Sequence, residues 1–268
     1  MQVITKNTLE EIEVIVDRFR SPFSHLLFRG EACNNCNWKL RPSLIRDENM
    51  LSVERLLQEE IRFNTEFKRR IIDAGLQRKI LEGQNPLGFQ SQWEWLTQAQ
   101  HYGLPTRLFD WSIDFRRALY FAVDDTVYDK NDGQLWIYQG PNGIILSDNP
   151  IDSDIDYRLI NPAEITHPVI VNVTYQYKEN HAEYTGQERK WHQMGQFLVQ
   201  PNKSTLIPME ENRYFRDDLI KIIIPHSEKK TMREQLKASG LTKEYLYGEK
   251  NAEVEKIIFD LKRFRETI

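Results

Sequence analysis

Five short apolar runs limit what this chain can fold into: SHLLFRG (24–30), GQLWIYQ (133–139), PVIVNVTY (168–175), GQFLVQ (195–200) and LIKIIIP (219–225). Each is rich in β-branched or aromatic residues and is bounded by turn residues, so each reads as a strand. Between and around them the spacing turns helical. Thr8-Leu9-Glu10-Glu11 is a capping box that opens a helix to about Phe19. Apolar residues from Leu51 to about Leu81 recur at helical spacing, as one long helix or two, and stop at Gly83, Asn85 and Pro86. Further helices are expected over 92–99, 113–123, 227–238 (closed by Gly240) and 252–265, with a turn at HYGLPTR. A helix-rich first half and a strand-rich second half predict an α+β fold: a twisted, mainly antiparallel sheet with helices against it. The 268 residues show no linker and no repeat, so one domain is expected over 1–268, with an N-terminal helix and a helical insertion at about 50–83.

Composition excludes more than it assigns. Net charge is −4, which gives no overall field toward nucleic acid or membrane. No apolar run approaches the 18 or so residues of a membrane span, and the N-terminus lacks a signal peptide's apolar stretch, so a cytoplasmic protein is expected. Cys33 and Cys36 form a lone CxxC; a tetrahedral zinc site needs two further ligands, so they read as ordinary thiols, and no metal is expected. The phosphate-loop, dinucleotide, zinc-protease and serine-hydrolase motifs are missing. The 40 acidic residues offer too many pairs to choose a glycosidase couple.

Two stretches carry the chemistry. In the first, an apolar run ends on Phe28-Arg29-Gly30. An arginine at a strand end suits phosphate or carboxylate, and a glycine beside it lets a ligand approach the backbone. The competing reading is a structural ion pair, with Asp110 as partner. In the second, QHYGLPTRLFDWSIDFRRALYFA (100–122), the residues His101, Tyr102, Arg107, Asp110 and Trp111 gather about a turn. Such groups can stack on and hydrogen-bond a nucleotide. Alternatively Asp110 caps the next helix or pairs with Arg107, while Trp111, Tyr120 and Phe121 fill core. Arg29, His101, Tyr102, Arg107 and Asp110 are expected to line one cleft.

These two stretches, with RKWHQMGQF (Arg189, Gln193, Gly195, Phe197) and the C-terminal LIKIIIPHSEKKTMREQLKASGLTKEYLY, resemble the FRG domain family. The family's layout is similar in turn to that of ADP-ribosyltransferases. The resemblance implies NAD as substrate, without a metal, and ADP-ribosyl transfer to a macromolecule (protein or nucleic acid) or NAD hydrolysis. It also implies a toxin or anti-phage defence role, with a neutralising antitoxin as a further partner. It assigns Arg29, His101 and Gln193 as catalytic, and Arg29, Gly30, Tyr102, Arg107 and Tyr120 as NAD-binding. Glu183 and Glu188 are alternatives to Gln193 as the late catalytic residue. The other reading is a non-catalytic module that binds a nucleotide or nucleic acid and regulates.

Overall fold

The computed structural model describes residues 1–20, 25–34, 36, 38–46, 52–77, 91–140, 144–147, 155–156, 159–172, 192–248 and 252–266. The helix-stop residues 83, 85 and 86 lie outside them, as do Glu183, Glu188 and Arg189. In chain order the described elements are β1 (Gln2–Thr5), α1 (Leu9–Phe19), β2 (Leu26–Glu31), α2 (Val53–Asp73), α3 (Gln92–His101), β3 (Phe109–Ser112), α4 (Phe115–Val123), β4 (Gly133–Gln139), β5 (Ile144–Ser147), β6 (Val169–Asn172), β7 (Gly195–Val199), β8 (Leu219–Ile224), α5 (His226–Ala238), α6 (Lys243–Tyr247) and α7 (Ala252–Glu266).

The strands form one open sheet in the order β1-β8-β4-β2-β3-β7-β6-β5. Five pairings are antiparallel; the two outermost, β1 with β8 and β5 with β6, are parallel. The fold is therefore α+β and mainly antiparallel. All five expected strands are present. Three strands and one helix were not expected. β1 has almost no buried face, so hydrophobic alternation is silent there, and its backbone pairing to β8 alone defines it. β3 and β5 have four residues each, too few for a period to show.

Alternation along β2 assigns the two faces. Leu27, Arg29 and Glu31 point one way; Phe28 and Gly30 point the other. On the Phe28 face, α1, α4, α5 and α6 pack a core that includes Ile12, Phe28, Leu119, Leu135, Ile222 and Leu236. On the Leu27 face, Phe109, Trp111, Trp136 and Tyr138 lie under Leu40, Met209 and Phe215, which come from irregular segments. A third cluster joins α2, α3 and α7 through Phe67, Trp95, Tyr102 and Leu261. Helix starts follow sequence: Thr8 with Glu11, and Ser91 with Glu94, form complete capping boxes. The residue capping α4 is Asp114, whose carboxylate accepts from the Arg116 and Arg117 N–H groups, so Asp110 is released from that role.

Between β2 and β3 the ladder holds the single residue pair Phe28–Ser112. Where the strands part, the Arg29 side chain takes over: its Nη1 donates to the Asp110 carbonyl at 2.8 Å. The sheet opens at the residue on which the apolar run ends.

The structure also corrects the reading of the cysteines. Cys33 and Cys36 form a disulfide, because the short turn after β2 brings their Cα atoms to 5.6 Å, inside the range a disulfide spans.

Candidate functional site

Where β2 ends, a cavity of about 620 Å³ opens between β2, the segment 38–46, the C-terminal end of α4 and the end of α6. Its wall carries Arg29, Lys39, Arg41 and Arg46; Glu31, Asp124 and Asp125; and the rings of Trp38, Phe121 and Tyr247. That volume suits a ligand of cofactor size.

Each wall is fixed by ordinary packing. Segment 38–46 is strapped down by Leu40 and Leu44, both fully buried. The Met209 N–H donates to the Leu40 carbonyl at 2.9 Å, and the Leu44 N–H to the Thr106 carbonyl at 3.1 Å. The conspicuous run 100–110 serves this strap. Gln100 Nε2 donates to the Asp110 carboxylate at 2.6 Å, its Oε1 accepts from the Thr106 hydroxyl at 2.7 Å, and the Ser43 hydroxyl bonds the Thr106 backbone. Gly103, at φ +87°, makes the turn that returns the chain from α3 toward β3, a conformation that favours glycine. On the floor, the Glu31 carboxylate accepts from Arg29 Nε at 3.2 Å and from Gln134 Nε2 at 2.6 Å. The Arg29 guanidinium lies 4.4 Å over the Phe109 ring. The α4 side carries Phe121 against Tyr247, edge to face at 5.9 Å, and Trp38 meets Tyr128 in the same way at 5.1 Å.

The expected site residues divide. Arg29 and Gly30 line the cavity, and Asp110 meets Arg29 through its carbonyl. The ion pair once assigned to Asp110 is made with Glu31. Gly30 has a structural reason to be glycine: a Cβ there would sit 1.8 Å from the Ala118 carbonyl oxygen, so α4 needs the bare strand for its close approach. Arg107 is elsewhere, almost wholly buried. Its guanidinium pairs with Glu60 at 2.7 Å and donates to the Asn202 side chain and, in a short contact, to the Pro162 carbonyl. With those donors occupied inside the protein, Arg107 acts as a core cation and does not face the cavity. Tyr102 packs in the α2–α3–α7 cluster, and the His101 ring lies edge-on to it at 5.4 Å. Tyr120 is core; burial, then a hydrogen bond to Asp124, pushes its phenol well above the ordinary range, and its neighbours Phe121 and Asp124 take the wall positions. Trp111 is core as well. Gln193 Nε2 donates to the Leu246 carbonyl at 3.0 Å, away from the cavity wall.

Sequence reading missed Glu31, Trp38, Arg41, Arg46, Asp124 and Tyr247. The basic run before Arg41-Pro42-Ser43 was the available signal for the strap. Tyr247 closes the C-terminal stretch that carried the resemblance, but nothing in that stretch marks it as a wall residue. Among the described residues no group of three or more His, Cys, Asp or Glu side chains is placed to hold a metal, and no helix is long and apolar enough to cross a membrane.

The FRG domain family model matches residues 24–131. No curated protein and no solved structure matches the chain. Every residue of the cavity wall except Tyr247 falls inside the matched segment.

Proposed function

We propose, for a chain that carries an FRG domain over residues 24–131, that the β2-end cavity takes NAD and that the protein transfers its ADP-ribosyl group to a macromolecular acceptor or to water. One observation carries this reading: four basic side chains and three aromatic rings share a cavity of about 620 Å³. Guanidinium forks suit a diphosphate, and rings at the rim suit a base or nicotinamide. An arginine near the end of β2, a sheet that parts beside it and an adjoining cavity support an ADP-ribosyltransferase-like reading.

In this reading the bond from ribose C1′ to the nicotinamide nitrogen breaks, and its electron pair leaves with nicotinamide. Charge develops on C1′ and the ring oxygen. The acceptor's lone pair then bonds C1′, and its proton passes to a base. The cavity's carboxylates are Glu31, Asp124 and Asp125. Glu31 is held in place from two sides, and we assign it the ribose hydroxyl, in the position expected for Gln193. An oriented carboxylate near developing positive charge lowers the barrier without reorganising. Carried over with the resemblance are a toxin or defence role and a neutralising antitoxin; the cytoplasmic setting rests on the sequence alone.

The Gln193 amide, engaged with Leu246, favours a second reading: a module that binds a nucleotide without turning it over. Purified protein mixed with NAD labelled in both halves separates the two. Free nicotinamide, or adenine label on lysate macromolecules, supports the enzyme. Binding without release supports the module. Failure of NAD, ADP-ribose and ADP alike to bind at millimolar concentration would overturn both.

A further inference from the structure

The cavity's four cations are not equivalent, and counting their partners sorts them. Arg29 spends Nε on Glu31 and Nη1 on the Asp110 carbonyl, with its plane against Phe109. Lys39 is tied to Glu211 at 2.7 Å. Arg41 and Arg46 make no side-chain hydrogen bond or ion pair among the described residues, and Arg41 Nε is shielded from solvent with no acceptor. A shielded donor without an acceptor is costly, more so when charged. Arg46 is solvent-exposed as a residue; desolvation first, and the Arg29 cation second, draw its guanidinium below the ordinary arginine range, with Glu31 and Asp110 pulling the other way.

The backbone that carries this pair is held by packing. Arg41 and Arg46 flank Pro42 and the single 3₁₀ turn Ser43–Ile45, whose Leu44 and Ile45 are buried. Two guanidiniums with no hydrogen-bond or ion-pair partner among the described residues, carried on one strap and lining one cavity, offer a place for an anion with more than one charged group.

We infer that Arg41 and Arg46 form a diphosphate clamp, that its ligand is a nucleoside diphosphate or a dinucleotide, and that Arg29 positions Glu31 and the parted strands and does not bind phosphate. The inference rests on the nucleotide reading above and assigns its anionic half. Charge and fork geometry both matter, so lysine is a poor replacement at either position.

Calorimetric titration with adenosine, ADP, ADP-ribose and inorganic pyrophosphate tests the clamp. The proteins are the wild type, R41Q, R46Q, the double variant, and R216Q as a charge control outside the cavity. Thermal melts confirm that each is folded. ADP and ADP-ribose should weaken by about tenfold or more in each single variant and fall below detection in the double, as expected for lost charge-assisted bonds. Adenosine should be indifferent to the changes, and R216Q should match the wild type. If R41Q and R46Q both bind ADP as the wild type does, the clamp is wrong and the nucleotide reading stands. If pyrophosphate binds through Arg41 and Arg46 while no nucleotide does, the nucleotide reading is wrong and the anion site stands. A wild type that binds none of the four overturns both.

Discussion

Arg29 and Arg107 show how far residue type alone can be read. Both stand in conspicuous motifs, and either fits phosphate on chemistry. Burial separates them, and burial depends on a partner elsewhere in the chain. Glu60, which neutralises Arg107, sits 47 positions upstream on α2. Helical spacing does put Glu60 on the apolar stripe of Leu56, Phe63 and Phe67, but the sequence does not say which cation meets it there. At Arg29 the strand was legible but its end was not: β2 runs on to Glu31, and the choice of Glu31 over Asp110 as ion partner depends on where β2 and β3 separate. Arg107→Ala tests the assignment. Removing one partner of a buried pair costs about 3–5 kcal/mol. At roughly 2–4 °C per kcal/mol for a chain of this size, the melting temperature should fall by roughly 6–20 °C. Nucleotide affinity measured well below the transition should hold. A protein of normal melting temperature that no longer binds nucleotide would return Arg107 to the site.

Helices with capping boxes and strands with a two-sided core were legible almost to the residue: α1 and β4 begin and end as their patterns predict. What escaped was set by contact between elements. The α4–β2 approach is such a contact. The glycine of Phe28-Arg29-Gly30 was read as room for a ligand, while the structure uses it as room for a helix. Gly30→Ala would place a methyl 1.8 Å from the Ala118 carbonyl oxygen and 2.8 Å from the Ala122 nitrogen. Backbone cannot yield as a side chain does, so α4 must move off the sheet. A loss of at least 1–3 kcal/mol is expected, the usual range for overpacking. Phe121, Asp124 and Asp125 ride on that end of α4, so nucleotide affinity should weaken as well. An unchanged melt would show that the helix shifts freely. The Cys33–Cys36 bridge is a second local device, on the turn between β2 and the strap. Closing so short a loop contributes about 2 kcal/mol on a chain-entropy basis. Cys33→Ser/Cys36→Ser should therefore melt a few degrees lower than the oxidised protein, and reduction of the wild type should reproduce that shift. Equal melts for oxidised and reduced protein would show that the bridge does not constrain the fold.

At the scale of the molecule, the matched segment 24–131 supplies nearly all of the cavity wall, and the rest of the chain holds that wall in place. The β2 strand pairs with β4, outside the match, over six residues. Lys229 of α5 is fully buried, and its Nζ donates to the carbonyls of Ala32, Tyr128 and Asn131 at 2.9, 2.8 and 3.3 Å. One ammonium thus ties a late helix to the end of β2 and to the loop after α4. Sequence reading found that helix and not this use of it, because a lysine on a polar helix looks like any solvated one. Burial, the largest influence, draws the Lys229 ammonium below its ordinary range, with Asp129, Asp125 and Asp132 pulling the other way. The folded state therefore releases this proton at lower pH than the unfolded chain. Between the folded value and the unfolded one near 10.4, the unfolded chain binds more protons, and stability attributable to this group rises with pH. Below that window its contribution is constant. Lys229→Met removes both the three hydrogen bonds and the titration. The variant should melt lower than the wild type at neutral pH, since three carbonyls lose their donor. The gap should widen as pH climbs through the alkaline window, read as the difference between the two proteins so that other lysines and tyrosines cancel. A gap that closes with rising pH would mean that the folded state holds this proton more tightly than the unfolded chain does, and that the three carbonyls, not burial, set its affinity.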